Sequence, residues 1–166
     1  MKLAVLSDIH DQREHLEGVL ERLASLEPEA LILCGDLTRP AVVERCARLR
    51  IPLAFCLGNC DLPRAEALED AALVHGARFF RELGRFNPGE QGAIAFCHFP
   101  ALARNAAASG NYSAVFFGHT HRRAWEKVRL DSGAEVLLAN PGDIEGRYAA
   151  PGGLVYDTVA DALTWV

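Results

Sequence analysis

The chain lacks a long hydrophobic run and an excess of positive charge, and each absence excludes a class of protein. Only five residues separate Lys2 from the polar Asp8, far fewer than a signal peptide or membrane helix requires, so we expect a cytoplasmic protein with no membrane partner. Lys and Arg number 17 against 22 Asp and Glu, giving a net charge of -5. This balance argues against a surface that holds long nucleic acid but is compatible with small anionic substrates.

The chain also lacks a Cys-x-x-C pair. Its five cysteines lie at positions 34, 46, 56, 60 and 97, a pattern that predicts neither a disulfide framework nor a cysteine-rich zinc site. We expect reduced thiols, most of them buried in strands. The length of 166 residues, with 50% apolar and 23% charged residues, predicts one domain over residues 1–166 with no room for a cap domain.

Apolar segments alternate with helical patterns in the first half of the chain, which is typical of β-α-β units with parallel strands. Shorter, turn-rich segments follow, and Asp131-Ser132-Gly133 predicts a hairpin, so we expect the second half to be largely antiparallel. We predict strands over 3–7, 30–34, 53–57, 78–83, 92–97, 114–117, 125–130, 135–138, 154–158 and 162–165. We predict helices over 16–26, 40–49, 63–74 and 101–109.

Polar clusters follow five of the predicted strands. In an open α/β sheet, ligands bind at the carboxyl ends of parallel strands, so this placement points to a functional site. Glycine precedes the polar residue in three clusters and would let the backbone approach a small ligand closely. The clusters are Ser7-Asp8-Ile9-His10, Gly35-Asp36, Gly58-Asn59-Cys60-Asp61, Cys97-His98 and Gly118-His119-Thr120-His121.

The residue types and spacings in these clusters indicate a metal site. Residues i and i+2 of an extended chain point the same way, so we expect Asp8 to converge with His10, and His119 with His121. Carboxylate oxygen and imidazole nitrogen suit divalent ions such as Mn, Fe, Ni or Zn, and the absence of a thiolate cluster argues against structural zinc. Asp-x-His is a weak signal by itself, whereas Gly-His-x-His is far rarer by chance.

Together the motifs resemble the signature of the calcineurin-like metallophosphoesterases over residues 1 to about 147. The Gly-Asn-Cys-Asp form, the absent cap and Asn140-Pro141-Gly142 are similar to the small YfcE-like phosphodiesterase subgroup. The resemblance implies an α/β fold: a four-layer α/β/β/α sandwich of two mixed β-sheets with the helices on the outside.

The resemblance also implies a dinuclear metal centre with two divalent ions, for which Mn is favoured and Ni, Fe and Zn are alternatives. Asp36 would bridge the ions, and Asp36, Asn59 and His98 would take part in catalysis. Two ions and two carboxylates leave a local excess of about +2. The other implied ligands are Asp8, His10 and His121 for one ion and Asn59, His98 and His119 for the second.

The implied activity is hydrolysis of small phosphodiesters, with a hydroxide between the ions attacking phosphorus in line. A phosphomonoesterase and a nucleotide pyrophosphatase use the same centre and remain alternatives. A different class of function is a non-catalytic scaffold like the retromer subunit of this fold, against which the complete ligand set argues. A homo-oligomer is compatible with the resemblance.

Three residues depart from the family pattern. Cys60 stands where many relatives have histidine, and because a thiol is a weak acid we expect better turnover of esters with good leaving groups. Phe99 replaces a glycine and is either a stacking platform for a nucleobase or an apolar plug. Asp143 replaces a small hydroxyl residue and either repels phosphate or caps a turn. Asp61 is expected to cap the third helix, and its motif position also suggests that it braces the Asn59 loop.

Overall fold

The structure is a computed structural model that describes residues 1–89 and 91–166, and in it two β-sheets pack face to face between helices. The strands are β1 Lys2–Leu6, β2 Ala30–Cys34, β3 Leu53–Cys56, β4 Arg78–Phe80, β5 Leu83–Phe86, β6 Ile94–Cys97, β7 Ala114–Phe116, β8 Arg123–Arg129, β9 Glu135–Pro141, β10 Leu154–Asp157 and β11 Ala162–Trp165. The helices are α1 Arg13–Ala24, α2 Pro40–Ala47, α3 Ala65–His75 and α4 Pro100–Ala108, with one 3₁₀ turn, Leu62–Arg64, before α3.

The four layers expected from the sequence are present. The first sheet has the order β11-β10-β1-β2-β3-β4, and the second has the order β5-β6-β7-β9-β8. Helices α1 to α3 cover the outer face of the first sheet, where Leu16 and Leu68 enter the core, and α4 covers the second through Ala103. Phe96 and Phe116 fill the space between the sheets. Because β2 is covered on both faces, all its residues are buried and its sequence is continuously apolar.

One expectation for the second half is wrong, and a second, the antiparallel pairing, holds only in part, for β5 with β6, β8 with β9 and β10 with β11. The single strand predicted over 78–83 is two strands: β4 pairs with β3 in the first sheet, and β5 pairs with β6 in the second. The exposed pair Arg81 and Glu82 separates them, because the chain crosses between sheets there. The centre of the second sheet is parallel, not antiparallel: β6 pairs with β7, and β7 with β9. Helix α4 supplies the crossover from β6 to β7, which a parallel pair requires.

Two other expectations are confirmed. Strands β8 and β9 form the predicted antiparallel hairpin. All five cysteines are free, and four of them are buried, with Cys60 partly exposed.

None of the helices in the described residues combines the length and the hydropathy of a membrane span.

The loops that follow β1, β2, β3, β6 and β7 meet at one edge of the sandwich. The two sheets are joined there by His98 Nδ1, which donates to the Cys34 carbonyl oxygen at 2.9 Å. A second link is the His119 N–H, which donates to Asp8 Oδ2 at 3.0 Å. The carboxyl ends of strands from both sheets therefore share one surface, as the positions of the polar clusters predict.

Candidate metal centre

Asp8, His10 and His121 form the first group of side chains at this edge. Asp8 Oδ1 lies 3.5 Å from His121 Nε2 and 4.0 Å from His10 Nε2. The two imidazole rings stack with centroids 5.1 Å apart and an interplanar angle of 16°. One ligand atom from each residue falls within 4.8 Å of the others. This separation allows one cation to contact all three.

Asn59, His98 and His119 form the second group. Asn59 Oδ1 lies 3.1 Å from both His98 Nε2 and His119 Nδ1, and these two nitrogens are 3.2 Å apart. Three potential electron-pair donors therefore face one another across a space of atomic size. A cation at this point would satisfy all three at once.

Asp36 lies between the two groups. Its Oδ2 is 3.4 Å from His10 Nε2 in the first group and 3.5 Å from His98 Nε2 in the second. Its other oxygen accepts a hydrogen bond from the Cys60 backbone N–H at 2.8 Å. The carboxylate is buried and held in place, with one oxygen facing both groups.

The side chains of the two donor groups and Asp36 have the chemistry of ligands for divalent cations. His10 Nε2 is buried and makes no hydrogen bond with any residue that the structure describes, although it lies near Asp36. A buried polar atom without a partner is rare unless an ion or water satisfies it. Burial raises the pKa of the Asp8 carboxyl to about 7, and a neighbouring cation would favour the ionised form. The donors are oxygen and nitrogen, which suits Mn, Fe, Ni or Zn.

Hydrogen bonds orient two of the histidines. The Cys34 carbonyl is only an acceptor, so His98 Nδ1 carries the proton and Nε2 faces Asn59. Burial lowers the pKa of His98, which favours the neutral imidazole that binds metals. Asp143 Oδ2 lies 2.9 Å from His121 Nδ1 and fixes that ring in the same way.

The structure confirms one interpretation of Asp143, the turn cap, and also places its carboxylate beside the centre. Its Oδ2 accepts the Arg147 backbone N–H at 2.9 Å, so it caps a turn, and it also holds His121. Glu145 Oε2 lies 3.3 Å from the same His121 nitrogen. Glu145 was not predicted as part of the site. The one sequence feature that could have indicated it is a second acidic residue two positions after Asp143.

The expected convergence of i and i+2 side chains holds for Asp8 and His10, whereas His121 belongs to the first group and His119 to the second. Extended-chain geometry is the wrong explanation for either pair. Asp8, His10, His119 and His121 have φ angles of 52°, 45°, 69° and 59°, which belong to the left-handed region and not to extended chain. Asp36 shares this conformation, with φ of 54°. Tight turns, and not strand geometry, bring the side chains together, and such backbone outliers concentrate at functional sites.

Two glycines allow the loops to approach the carboxylates. A Cβ at Gly58 would lie 2.1 Å from Asp36 Oδ1, and one at Gly118 would lie 1.9 Å from Ser7 Oγ. Any side chain at either position would therefore force the neighbouring atoms to move. Asp61 Oδ2 accepts the Gly58 N–H at 2.8 Å, which confirms the predicted bracing of this loop. The predicted cap of the third helix is wrong, because Arg64 occupies the N-cap position of α3 and the Asp61 side chain makes no capping hydrogen bond to the described residues.

Cys60 lies at the rim of the centre as a neutral thiol. Burial, with Asp36 close by, raises its pKa to about 11, so it remains protonated at neutral pH. Its Sγ lies 3.3 Å from Asn59 Nδ2, which donates to it. A thiol with this pKa is a poor proton donor to a leaving group.

Phe99 is not an apolar plug. Its side chain is 44% exposed. Its ring centroid lies 5.0 Å from that of His98 and 5.2 Å from that of His119. The ring therefore stands beside the second group with one surface open to solvent, and His119 is also exposed.

Residues 1–161 match the family described as the calcineurin-like phosphoesterase superfamily domain. Because the match spans nearly the whole chain, the chain belongs to this superfamily and is a metallophosphoesterase. It is 26% identical over 147 residues to Phosphodiesterase MJ0936 of Methanocaldococcus jannaschii, which covers 88% of this chain and 86% of the relative.

Solved structures share the fold. An archaeal phosphodiesterase superimposes with a TM-score of 0.82 at 25% identity, covering 100% of this chain and 99% of that chain. YfcE, a phosphoesterase from E. coli, gives 0.66 at 20% identity, with coverages of 100% and 98%. Vps29 of Entamoeba histolytica, complexed with Zn²⁺, gives 0.58 at 14% identity, with coverages of 100% and 97%.

Proposed function

We propose that this metallophosphoesterase is a dinuclear phosphodiesterase that hydrolyses small phosphodiesters. One observation carries the proposal: Asp36 Oδ2 lies 3.4 Å and 3.5 Å from nitrogen atoms of two separate donor groups. A carboxylate in that position can bridge two ions, and paired ions are suited to phosphoryl transfer. The phosphodiesterase name of the relative supports the substrate class.

The seven donors divide between two divalent ions, with Mn favoured and Ni, Fe or Zn as alternatives. When bound, the ions would supply Lewis-acid charge for the phosphoryl oxygens and a water-derived nucleophile for in-line attack. Asp36 would bridge them. Asp8, His10 and His121 would hold one ion, and Asn59, His98 and His119 would hold the other.

Other groups of the chain prepare this centre. The Cys34 carbonyl and Asp143 hold the imidazoles of His98 and His121 with Nε2 turned inward. The exposed Asn59 and His119 mark the side from which the phosphate would arrive. These fixed orientations reduce the reorganisation that metal and substrate binding require.

The local charge supports a diester over a monoester. Asp143 and Glu145 lie within 3.3 Å of His121, and their two negative charges would cancel the excess of about +2 expected from ions and ligands alone. A phosphodiester carries one negative charge and a phosphomonoester up to two. The less charged ester therefore meets less repulsion from these carboxylates.

The test uses metal-stripped protein with bis(p-nitrophenyl) phosphate and p-nitrophenyl phosphate, with and without Mn, Ni or Zn. We expect added metal to restore turnover, with the diester preferred. The p-nitrophenolate leaving group needs no proton, so the neutral Cys60 thiol does not limit this assay. Preference for the monoester would support the phosphomonoesterase alternative instead.

The Asp36→Asn variant tests the ligand assignment, because it removes the bridging charge. We expect loss of metal occupancy and of turnover, whereas Asp70→Asn, a matched change on the exposed surface of α3, should behave as the unchanged protein. Near-normal occupancy and turnover in Asp36→Asn would contradict the assignment. Metal binding without turnover of either ester would support a scaffold, since Vps29 with this fold is complexed with Zn²⁺.

A further inference from the structure

A cleft of about 400 Å³ opens beside the metal centre. This volume lies within the range of clefts that hold small ligands, roughly 300–1,000 Å³. Asn59 belongs to both the cleft and the centre. The apolar walls of the cleft are Leu57, Leu62, Phe99 and Leu102.

The cleft begins where the second donor group ends. Asn59 Oδ1 lies 3.1 Å from His98 Nε2 and His119 Nδ1, and the Phe99 ring stands 5.0 Å and 5.2 Å from the two histidine rings. A phosphate at the centre would therefore have one ester oxygen next to Phe99. The nearest apolar surface for a substituent on that oxygen would be the wall of this cleft.

The walls present apolar surface that the described residues do not cover. Phe99 is 44% exposed and Leu62 is 66% exposed. Phe99 directly precedes α4, after β6 of the second sheet, and Leu62 starts the 3₁₀ turn that follows β3 of the first sheet. Two independent elements thus place an aromatic ring and an aliphatic side chain around one space. Such a space favours a flat hydrophobic group.

The charges at the rim favour an uncharged occupant. Arg81 and Glu82 line the cleft with opposite charges. Arg81 Nη2 already lies 3.2 Å from Glu69 Oε2, and its guanidinium lies 5.9 Å from the Phe79 ring centroid. Among the described residues that line it, the cleft therefore offers no unpaired cation to a phosphate. The phosphate is accordingly assigned to the metal centre, and a neutral substituent is assigned to the cleft.

We propose that this cleft binds a planar aromatic group esterified to the phosphate, so that the enzyme selects phosphodiesters carrying an aryl group or a nucleoside. The inference rests on the proposed function, because it names the substrate class of the same site. Phe99 would be the specificity-determining residue, since its ring lies beside the centre and is exposed enough to stack on the group.

The test compares ligands that carry a single substituent on phosphorus. A diester carries two substituents, either of which can face the cleft, and this ambiguity is absent from the chosen ligands. Calorimetry with Mn-loaded protein measures the affinities of methylphosphonate, phenylphosphonate and thymidine 5′-phosphate. We expect phenylphosphonate to bind about tenfold more tightly than methylphosphonate, a ratio typical of burying one flat apolar group. Equal affinities of methylphosphonate and phenylphosphonate would overturn the proposal.

The variant Phe99→Ala should bring that ratio, measured against the variant's own methylphosphonate affinity, to about twofold or less. Leu62→Ser, at an exposed site on the opposite wall, should lower the ratio in the same direction and serves if Phe99→Ala fails to fold. Leu73→Ala removes an equally exposed apolar side chain on α3, outside the cleft, and should change nothing. An unchanged ratio in both cleft variants would contradict the proposal.

The thymidine 5′-phosphate arm separates the two sources of an aromatic group. Tight binding that Phe99→Ala weakens assigns the cleft to nucleosides, and tight binding of phenylphosphonate alone assigns it to simple aryl esters. An NMR titration of metal-free protein with thymidine and phenol measures binding in the cleft independently of catalysis, through the chemical shifts of the Leu62 and Leu102 methyl groups. Shifts at these methyls without diester turnover would support the aromatic-binding cleft and contradict the proposed phosphodiesterase function. Diester turnover without such shifts would support the proposed function and contradict the cleft.

Discussion

At the scale of single residues, Asp143 shows how one side chain can prepare another. Its carboxylate is nearly fully buried and lies 2.9 Å from His121 Nδ1. Because a carboxylate accepts and does not donate, it assigns the imidazole proton to Nδ1 and leaves Nε2 facing Asp8 at 3.5 Å. Carboxylate partners of this kind also make the imidazole a stronger ligand.

We therefore predict that Asp143→Asn weakens metal binding at the site of His121 by about 10-fold, within the range of about 10–100-fold known for such partners. The amide keeps the shape of the side chain and loses its charge. Isothermal titration with Mn gives the affinity, and Asp131→Asn in the exposed β8–β9 turn is the control. An unchanged affinity would mean that Asp143 only caps its turn.

At the scale of elements, the centre depends on short turns after strands. The loop after β3 passes so close to the loop after β2 that Gly58 leaves no space for a Cβ beside Asp36. The same loop is held by Asp61, whose Oδ1 accepts the Thr38 N–H at 2.6 Å. These turns set the distance between neighbouring donor groups.

We expect Gly58→Ala to be destabilising by about 1–3 kcal/mol, the usual cost of forcing extra atoms into a packed site. It should also lower metal affinity, because the methyl group would displace Asp36. Gly18→Ala in α1 is the matched control: its new Cβ would find its nearest neighbour at 3.8 Å, and alanine is favoured in a helix by about 0.5–1 kcal/mol. Chemical denaturation and Mn titration measure both effects, and a Gly58→Ala protein with unchanged stability and affinity would refute the steric argument.

At the scale of the whole molecule, the candidate ligands come from both sheets. Asp8, Asp36 and Asn59 follow strands of the first sheet, whereas His98 and His119 follow strands of the second. Ions at this edge would therefore connect the two sheets. Metal binding and global stability should be coupled for this reason, since the sites exist only when the sheets are packed.

We predict that Mn at 100 times its Kd raises the free energy of unfolding by about 2.7 kcal/mol for one site, or Tm by roughly 5–10 °C at this chain length. Chelator should reverse the increase. Asp36→Asn should lose most of it and Asp70→Asn should keep it. Calorimetric scans that show no shift with Mn, Ni or Zn would contradict the coupling.

The sequence alone was sufficient for much of the fold and for the candidate ligand set. The strands β1 to β3 and their helices were predictable because apolar periodicity is a local property of the chain. The clusters that contain the seven candidate ligands were recognisable because each lies within a few residues of a strand end. Their assignment as a complete ligand set came from the resemblance of these motifs to the superfamily. The membership of the superfamily follows from the same short motifs.

Only the tertiary structure decided the features that depend on distant parts of the chain. The division of 78–83 between two sheets, the contact of Asp143 with His121 across 22 positions and the left-handed turns at the donors have no local sequence signal that predicts them. The cleft between Leu62 and Phe99 likewise exists because two loops from different sheets pack side by side. Local patterns determine which groups are present, whereas the packing of the two sheets determines which of them meet, because the contacts at the site join residues far apart in the chain.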